Sequence, residues 1–237
     1  MSAAGSGRLG VVAGSSLLGR PRPELAGVEW IQRHESDGFV LAHEIDHRAN
    51  ARRLAADGCD RVLAISSVGG LRPEYGPGTQ LAPDDFISLV PSPSAFADAR
   101  AHIVPGFEPE WRARVVEAWG MASSRELVDG GVYWQTPGPR LETPAEIRMA
   151  AAYAHVVGMT LAHEAVACVE LGLAYAAICV VDNLANGVDG SRLEISELEA
   201  ARAENTDGLA AALAAAAPAL AAQAPADGRP VTPDAPL

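Results

Sequence analysis

Short apolar runs, each broken off by glycines, hydroxyls or charges, recur along the chain, and their spacing predicts strands alternating with helices. Leu9-Gly-Val-Val-Ala13 is short, rich in β-branched residues and followed by Gly14-Ser15-Ser16, the pattern of a buried strand entering a tight, hydroxyl-bearing turn. Val28-Glu-Trp-Ile-Gln32 predicts a second strand ending at Arg33-His34, and Arg61-Val-Leu-Ala-Ile65 a third running into Ser66-Ser-Val-Gly-Gly70. Further strands are expected at Gly131–Gln135 and Ala174–Val181. Helical spacing marks Asp46 to Asp57, where Ala49, Leu54 and Ala55 oppose Arg48, Arg52 and Arg53 and Gly58 closes the element. It also marks Trp111–Gly120, Thr143–His155 and His163–Leu171, while Leu193–Ala217 is Ala-rich enough to be helical by propensity. Phe86 to Pro109, with scattered prolines, reads as a long functional loop. From Pro218 onward five prolines fall among small and polar residues, which predicts a disordered tail at 218–237 behind a single domain at 1–217. The alternation as a whole predicts an α/β fold with a parallel or mixed sheet.

Composition narrows the chemistry. Of 237 residues 18 are basic and 30 acidic, a net charge of -12, and every basic residue is Arg. Without Lys there can be no Schiff base, no Lys general base and no P-loop. The acidic balance argues against a nucleic-acid partner, because affinity for that polymer rests mainly on cations meeting phosphates. No stretch approaches the ~20 apolar residues of a membrane span, and Met1 to Arg8 lacks the apolar core of a signal peptide. Cys59, Cys168 and Cys179 are odd in number, apolar in context and without CxxC spacing, which suggests buried free thiols and a cytoplasmic setting. His34, His43 and His47 are spaced closely enough to suggest a metal, but without a carboxylate or Cys in clear ligand geometry phosphate-facing or solvated roles fit them better.

Three of the expected strands end in small polar segments: Gly14-Ser15-Ser16, Arg33-His34 and Ser66-Ser67. Ligands of α/β sheets bind beyond the carboxyl ends of strands. Hydroxyls, a bidentate Arg, a His and turn N–H groups meeting there would form a Lys-free anion cradle.

The same residues carry a family likeness. Gly10-Val-Val-Ala-Gly-Ser15, Arg33-His34, Ile45-Asp-His-Arg-Ala-Asn50, Ser66-Ser-Val-Gly-Gly-Leu71, Gly76-Pro-Gly78 and Asp84-Asp-Phe-Ile87 occur in order, followed by Gly131-Val-Tyr133, Gly138-Pro-Arg-Leu-Glu-Thr-Pro-Ala-Glu146, Val157-Gly-Met-Thr160 and Val181-Asp-Asn183. This series, spanning residues 9–190, resembles the nucleoside phosphorylase family, most of all its trimeric branch of methylthioadenosine and methylthioinosine phosphorylases. The resemblance implies a central twisted mixed sheet, partly barrel-like and flanked by helices, and a homotrimer or a dimer of trimers. It implies phosphorolysis of a purine nucleoside to the free purine and a pentose 1-phosphate, with inorganic phosphate as co-substrate and no metal or organic cofactor. By position, Ser15, Arg33, His34, Ser66, the Ser67 backbone and Thr160 would bind phosphate. Met159 would lie against the ribose, and His102 would reach the 5′ side of the sugar across a subunit boundary.

Glu142 and Asn183 would face the purine. The departing base gathers negative charge on its imidazole ring, so a donor near N7 must bind most strongly in the transition state. An Asn183 N–H can do this, and a Glu142 carboxylate would accept the N1–H of a 6-oxopurine. A register one residue earlier would put Asp182 there and favour 6-aminopurines, and Glu142 could instead cap the helix that begins near Thr143. Three departures stand out: Glu35-Ser-Asp-Gly-Phe-Val-Leu-Ala42 replaces a Gly- and His-rich stretch, Ser16 stands where Gly is usual, and Asp46-His47 replaces Asn-Tyr. Carboxylates near a phosphate site would repel the dianion. Two other readings therefore remain: a catalytically weak nucleoside-binding homologue and a hydrolytic nucleosidase.

Overall fold

The sheet is organised around one long strand, β3 (Cys59–Gly70), in a computed structural model that describes residues 7–34, 39–190 and 195–224. The other strands are β1 (Arg8–Ala13), β2 (Val28–Gln32), β4 (Gln80–Ala82), β5 (Asp85–Ser88), β6 (Leu127–Asp129), β7 (Val132–Gln135), β8 (Val156–Gly158) and β9 (Ala174–Leu184). The helices are α1 (His47–Ala56), α2 (Pro109–Ala122), α3 (Pro144–Ala151), α4 (Leu161–Glu170) and α5 (Ile195–Ala221). Hydrogen-bonded neighbours run β5-β7-β8-β3-β9-β4-β6, and β1 joins β3 and β2. Most pairings are parallel, while β3–β8 and β4–β9 are antiparallel, so the sheet is mixed and curled, as expected.

The apolar runs are continuous because the central strands are covered on both faces. Alternate residues of β1, β3 and β9, among them Leu9, Val11, Leu63, Ile65, Ile178 and Val180, pack under α2 and α5 against Trp111, Trp119, Leu213 and Leu220. The intervening residues, Val12, Val62, Ala64, Tyr175, Ala177 and Val181, pack on the other side with Leu54 of α1 and Leu161, Ala165 and Cys168 of α4. Cys59, Cys168 and Cys179 are all buried.

Several elements differ from the expectations. β3 continues through Ser66 and Ser67 to Gly70, so these serines lie within a strand, and their ladder to β9 keeps them extended. The three- or four-residue strands β4, β5, β6 and β8 carry too little pattern to be read from sequence, and β5 occupies the start of the expected loop at Phe86–Pro109. The rest of that loop holds one 3-10 turn, Ala99–Ala101, before Pro109 begins α2. α3 stops at Ala151, short of His155, because Val156–Gly158 pairs with β7 and with β3. α5 runs through Pro218 to Ala221, where the sequence predicts a tail. Proline forfeits one helical hydrogen bond, but Ala217 and Leu220 are fully buried. The buried Arg61 guanidinium also donates to the carbonyls of Ala221 and Gln223 at 3.0 Å each, capping the last turn. Residues 225–237 of the expected tail, and Leu193-Glu194 at the expected helix start, lie outside the described residues.

Candidate active site

Strand β3 changes neighbours along one edge. Its last partner in β1 is the pair Val12–Ala64, and its first in β8 is Gly69–Val157. Between them Ile65–Val68 have no ladder on that side, and there the sheet opens into a cavity of about 270 Å3. Ser15, Arg33, His34, Ser66, Ser67, Glu142, Met159, Thr160 and Asn183 all line it. The spatial gap, rather than a turn after β3, is what gathers the polar strand ends.

At one end sits Arg33, 3% exposed. Its Nε and Nη2 donate to the two carboxylate oxygens of Glu164 at 3.0 and 2.9 Å, and Nη1 donates to the Ile65 carbonyl at 3.1 Å. That carbonyl is one that the interrupted ladder leaves without a strand partner. Tyr175 also donates to Glu164, at 2.7 Å. Burial works against the Arg33 charge, and the adjoining Glu164 carboxylate more than compensates, so its pKa is raised. Gly14 makes the arrangement possible: a Cβ there would stand 2.6 Å from the Ile65 oxygen and 2.8 Å from Arg33 Nη1. Three of the five guanidinium N–H groups are thus committed, and two remain for a ligand.

His34 follows directly in the chain. Its Nδ1 lies 2.9 Å from the Val40 carbonyl and its ring stacks on Phe39 at 5.5 Å. Burial, reinforced by the charges of Arg33 and Arg202, lowers its pKa below the usual histidine value. A neutral ring donating from Nδ1 leaves Nε2 as an acceptor, suited to the P–OH of hydrogenphosphate. Glu35–Gly38, with the two carboxylates that depart from the family pattern, lie outside the described residues. Thr160 precedes α4 and does not cap it with its side chain. Instead the Tyr133 hydroxyl accepts from the Thr160 and Leu161 N–H groups at 3.1 and 3.4 Å, and Gln135 Oε1 accepts from the Ala162 N–H at 3.1 Å. The opening amides of that helix are therefore satisfied within the protein, and Thr160 meets the cavity instead.

At the other end, Thr136 donates to Glu142 Oε1 at 2.6 Å, and Asn186 donates to the Glu142 carbonyl at 3.1 Å. The helix cap considered for Glu142 belongs to Thr143, which forms a capping box with Glu146. Asn183 lines the cavity, with one amide N–H on the Leu184 carbonyl at 2.7 Å. Asp182, the one-residue alternative, does not line the cavity and turns instead toward Asn205 of α5. It is fully buried, accepting from Ser67 Oγ and from Asn205 Nδ2 at 3.1 Å, with Arg202 Nε at 3.4 Å. The ladder to β3 shifts register here, Val68 pairing with Val181 and Gly69 with Asn183, so Asp182 is the extra residue of a bulge and the two neighbours part. Met159 packs over Gly138, whose φ of +63° needs glycine and whose Cβ would lie 2.7 Å from the Met159 sulfur. His102 lies outside the cavity of its own chain, just after the Ala99–Ala101 turn, with Nδ1 3.3 Å from the Ala99 carbonyl.

Glu164, Arg202 and Asn186 were missed in the sequence. Glu164 carries a signal, a carboxylate on the buried face of an apolar helix between Leu161 and Ala165. Buried carboxylates are almost always paired.

The chain is thus an α/β protein whose curled mixed sheet breaks open into a polar cavity lined by Arg33, His34, hydroxyls, Glu142 and Asn183. The sequence model of the phosphorylase superfamily matches residues 25–218, and the chain belongs to that superfamily. Among its relatives, a probable 6-oxopurine nucleoside phosphorylase of Archaeoglobus fulgidus is 39% identical over 175 residues, covering 74% of this chain and 72% of its own length. A probable S-methyl-5′-thioinosine phosphorylase of Methanothermobacter thermautotrophicus is 40% identical over 173 residues, covering 72% of this chain and 61% of its own length. In fold the chain is similar to a methylthioadenosine phosphorylase from Schistosoma mansoni solved with adenine, with a TM-score of 0.79 at 17% identity over 92% of this chain and 93% of that one.

Proposed function

We propose that this protein is a purine nucleoside phosphorylase acting on 6-oxopurine nucleosides, methylthioinosine included, and releasing the free purine and a pentose 1-phosphate. One observation carries the reading: Arg33, His34, Ser15, Ser66, Thr160, Glu142 and Asn183 line a single cavity, with Arg33 bonded at Ile65 of β3 and Asn183 paired further along that strand with Gly69. In this mechanism Arg33 offers phosphate its two remaining N–H groups, held in place by Glu164, and neutral His34 accepts a hydrogen bond from the phosphate P–OH at Nε2. The serines and Thr160 complete the anion's hydrogen bonds, and Met159 lies against the ribose. As the glycosidic bond lengthens, charge accumulates on the purine imidazole. The free Asn183 N–H then strengthens its bond at N7, which is worth most in the transition state. Glu142, already oriented by Thr136, accepts the N1–H that only a 6-oxopurine carries.

His102 would serve the 5′ end of a neighbouring protomer's nucleoside, in a homotrimer or a dimer of trimers. The reaction would need no metal or organic cofactor and would run in the cytoplasm as purine salvage. Among the described residues no helix is long and apolar enough to cross a membrane. The test is a phosphate-dependent screen of methylthioinosine, methylthioadenosine, inosine, adenosine and guanosine. Purine release from 6-oxopurine nucleosides that requires phosphate is the expected result; equal release without phosphate refutes the reading in favour of hydrolysis.

A further inference from the structure

The phosphate end of the cavity has an unusual charge balance. The Arg33 cation is matched by Glu164 in a doubly hydrogen-bonded buried pair. His34 is held toward its neutral form by burial. A dianion entering the cavity still needs a cation whose charge is not already neutralised at close range.

The C-terminal helix supplies one. α5 is apolar toward the core from Leu209 onward, but one turn earlier it presents Arg202, Asn205 and Thr206 on a single face at helical spacing. The Thr206 hydroxyl sits between the Arg202 carbonyl of its own helix at 2.7 Å and the Ser16 carbonyl at 3.0 Å, and Asn205 donates to the Val181 carbonyl at 3.2 Å, which sets that turn against the segment after β1 and against β9. Arg202 then reaches the cavity wall with its side chain 32% exposed. It meets Asp182 through Nε at 3.4 Å, a longer contact than the 2.9–3.0 Å of the Arg33 pair. Asp182 does not depend on that contact, because Ser67 and Asn205 also donate to it. Ser67 itself lines the cavity, so Arg202 stands beside the hydroxyls of the phosphate end.

We propose that Arg202 of the C-terminal helix is a phosphate-binding residue, which turns its guanidinium from Asp182 to the incoming anion while Arg33 stays paired with Glu164. The proposal rests on the phosphorylase reading for the identity of the anion, but phosphate binding itself tests it separately.

The experiment titrates inorganic phosphate into wild type, Arg202→Gln, Arg202→Lys and Asp182→Asn by calorimetry, alongside steady-state phosphorolysis. Gln and Lys are good helix formers, and melting curves verify that each variant folds. Arg202→Gln should weaken phosphate binding and raise its KM by about 10- to 100-fold, the worth of a charge-assisted hydrogen bond. The KM for nucleoside should stay within about threefold. Arg202→Lys, which keeps the charge without the fork, should fall between. Asp182→Asn removes the competing carboxylate and should tighten phosphate binding. A purely structural role for the Arg202–Asp182 contact predicts instead that Asp182→Asn weakens binding as Arg202→Gln does, and that outcome overturns the proposal. If Asp182→Asn does not fold, the Gln–Lys order decides. Phosphate bound equally by wild type and Arg202→Gln overturns it as well. Phosphate binding that requires Arg202 in a protein without phosphorolysis would uphold this inference and refute the proposed function; phosphate binding to no form refutes both.

Discussion

Replacing Glu164 by glutamine tests whether the site is held by its buried ion pair. Arg33 and Glu164 have side chains 1% and 2% exposed, and the carboxylate accepts from Arg33 Nε, Arg33 Nη2 and the Tyr175 hydroxyl. In Glu164→Gln the new amide would retain one acceptor oxygen and place an N–H against donors. The Arg33 charge, raised in pKa chiefly against the cost of its burial, would lose its counterion. Removing one partner of a buried pair costs about 3–5 kcal/mol, and the remaining amide acceptor reduces this to roughly 2–4. At about 2–4 °C of Tm per kcal/mol for a chain of this length, a loss near 3 kcal/mol lowers the melting temperature by roughly 6–12 °C. Calorimetric melting in phosphate-free buffer at neutral pH measures it. Saturating phosphate should recover more Tm in the variant than in wild type, because the anion would supply the missing negative charge beside Arg33. A variant melting within about 2 °C of wild type without phosphate would show that the pair does not hold the site, and the reasoning would be wrong.

Gly14→Ala should push a methyl into the Ile65 oxygen at 2.6 Å and Arg33 Nη1 at 2.8 Å; we expect about 2 kcal/mol of lost stability with a raised phosphate KM, and an unchanged KM would contradict the packing. His47 is 2% exposed with neither ring nitrogen hydrogen-bonded, its Nδ1 3.9 Å from Glu164, and burial, helped by the charge of Arg33 and by His163, brings its pKa from 6.5 down to about 3. The unfolded chain therefore takes up a proton near pH 6.5 that the folded protein refuses, so stability falls as pH drops from 6.5 toward 3. Between pH 6.5 and 5 the loss should be about 2 kcal/mol by urea unfolding, and a His47→Phe variant with the same slope as wild type would refute it. Asn183→Asp should shift relative kcat/KM toward 6-aminopurine nucleosides, by roughly tenfold; unchanged inosine-to-adenosine ratios would remove Asn183 from the base site.

Much of the fold was legible because the central strands and amphipathic helices carry their own period. β1, β2 and the first half of β3 could be read from β-branched runs, and α1 from its Arg–Leu alternation of faces. β4, β6 and β8 are three residues each and owe their extended form to neighbours brought in from elsewhere, Val128 beside Leu81 and Val157 beside Gly69. The polar strand ends were visible for the same local reason, and the cavity does collect them. What local pattern could not give was how their charges are distributed. Arg33 and Glu164 stand 131 positions apart. Arg202 lies in a helix whose alanines account for its helicity and leave its polar face looking solvated. Local pattern ends the last helix at Ala217 because proline is a stop signal in isolation, whereas in α5 the burial of Leu220 and the Arg61 cap outweigh the one bond Pro218 forfeits.

The absence of Lys takes on a local meaning in this geometry. An ammonium in place of Arg33 would be a point charge on a flexible stem, able to meet Glu164 or an anion but not to span both. The guanidinium does more because its five donors are fixed in a plane: one side engages the Glu164 carboxylate, one Nη1 hydrogen satisfies the carbonyl that the broken ladder leaves at Ile65, and the remaining two N–H groups are left for a ligand. Burial would also pull a lysine toward its neutral form, whereas Arg33 keeps its charge beside Glu164. A chain of net charge -12 can therefore build an anion site without a broad positive surface. The field that matters acts over a few ångströms at the break in the sheet, where burial limits screening by salt.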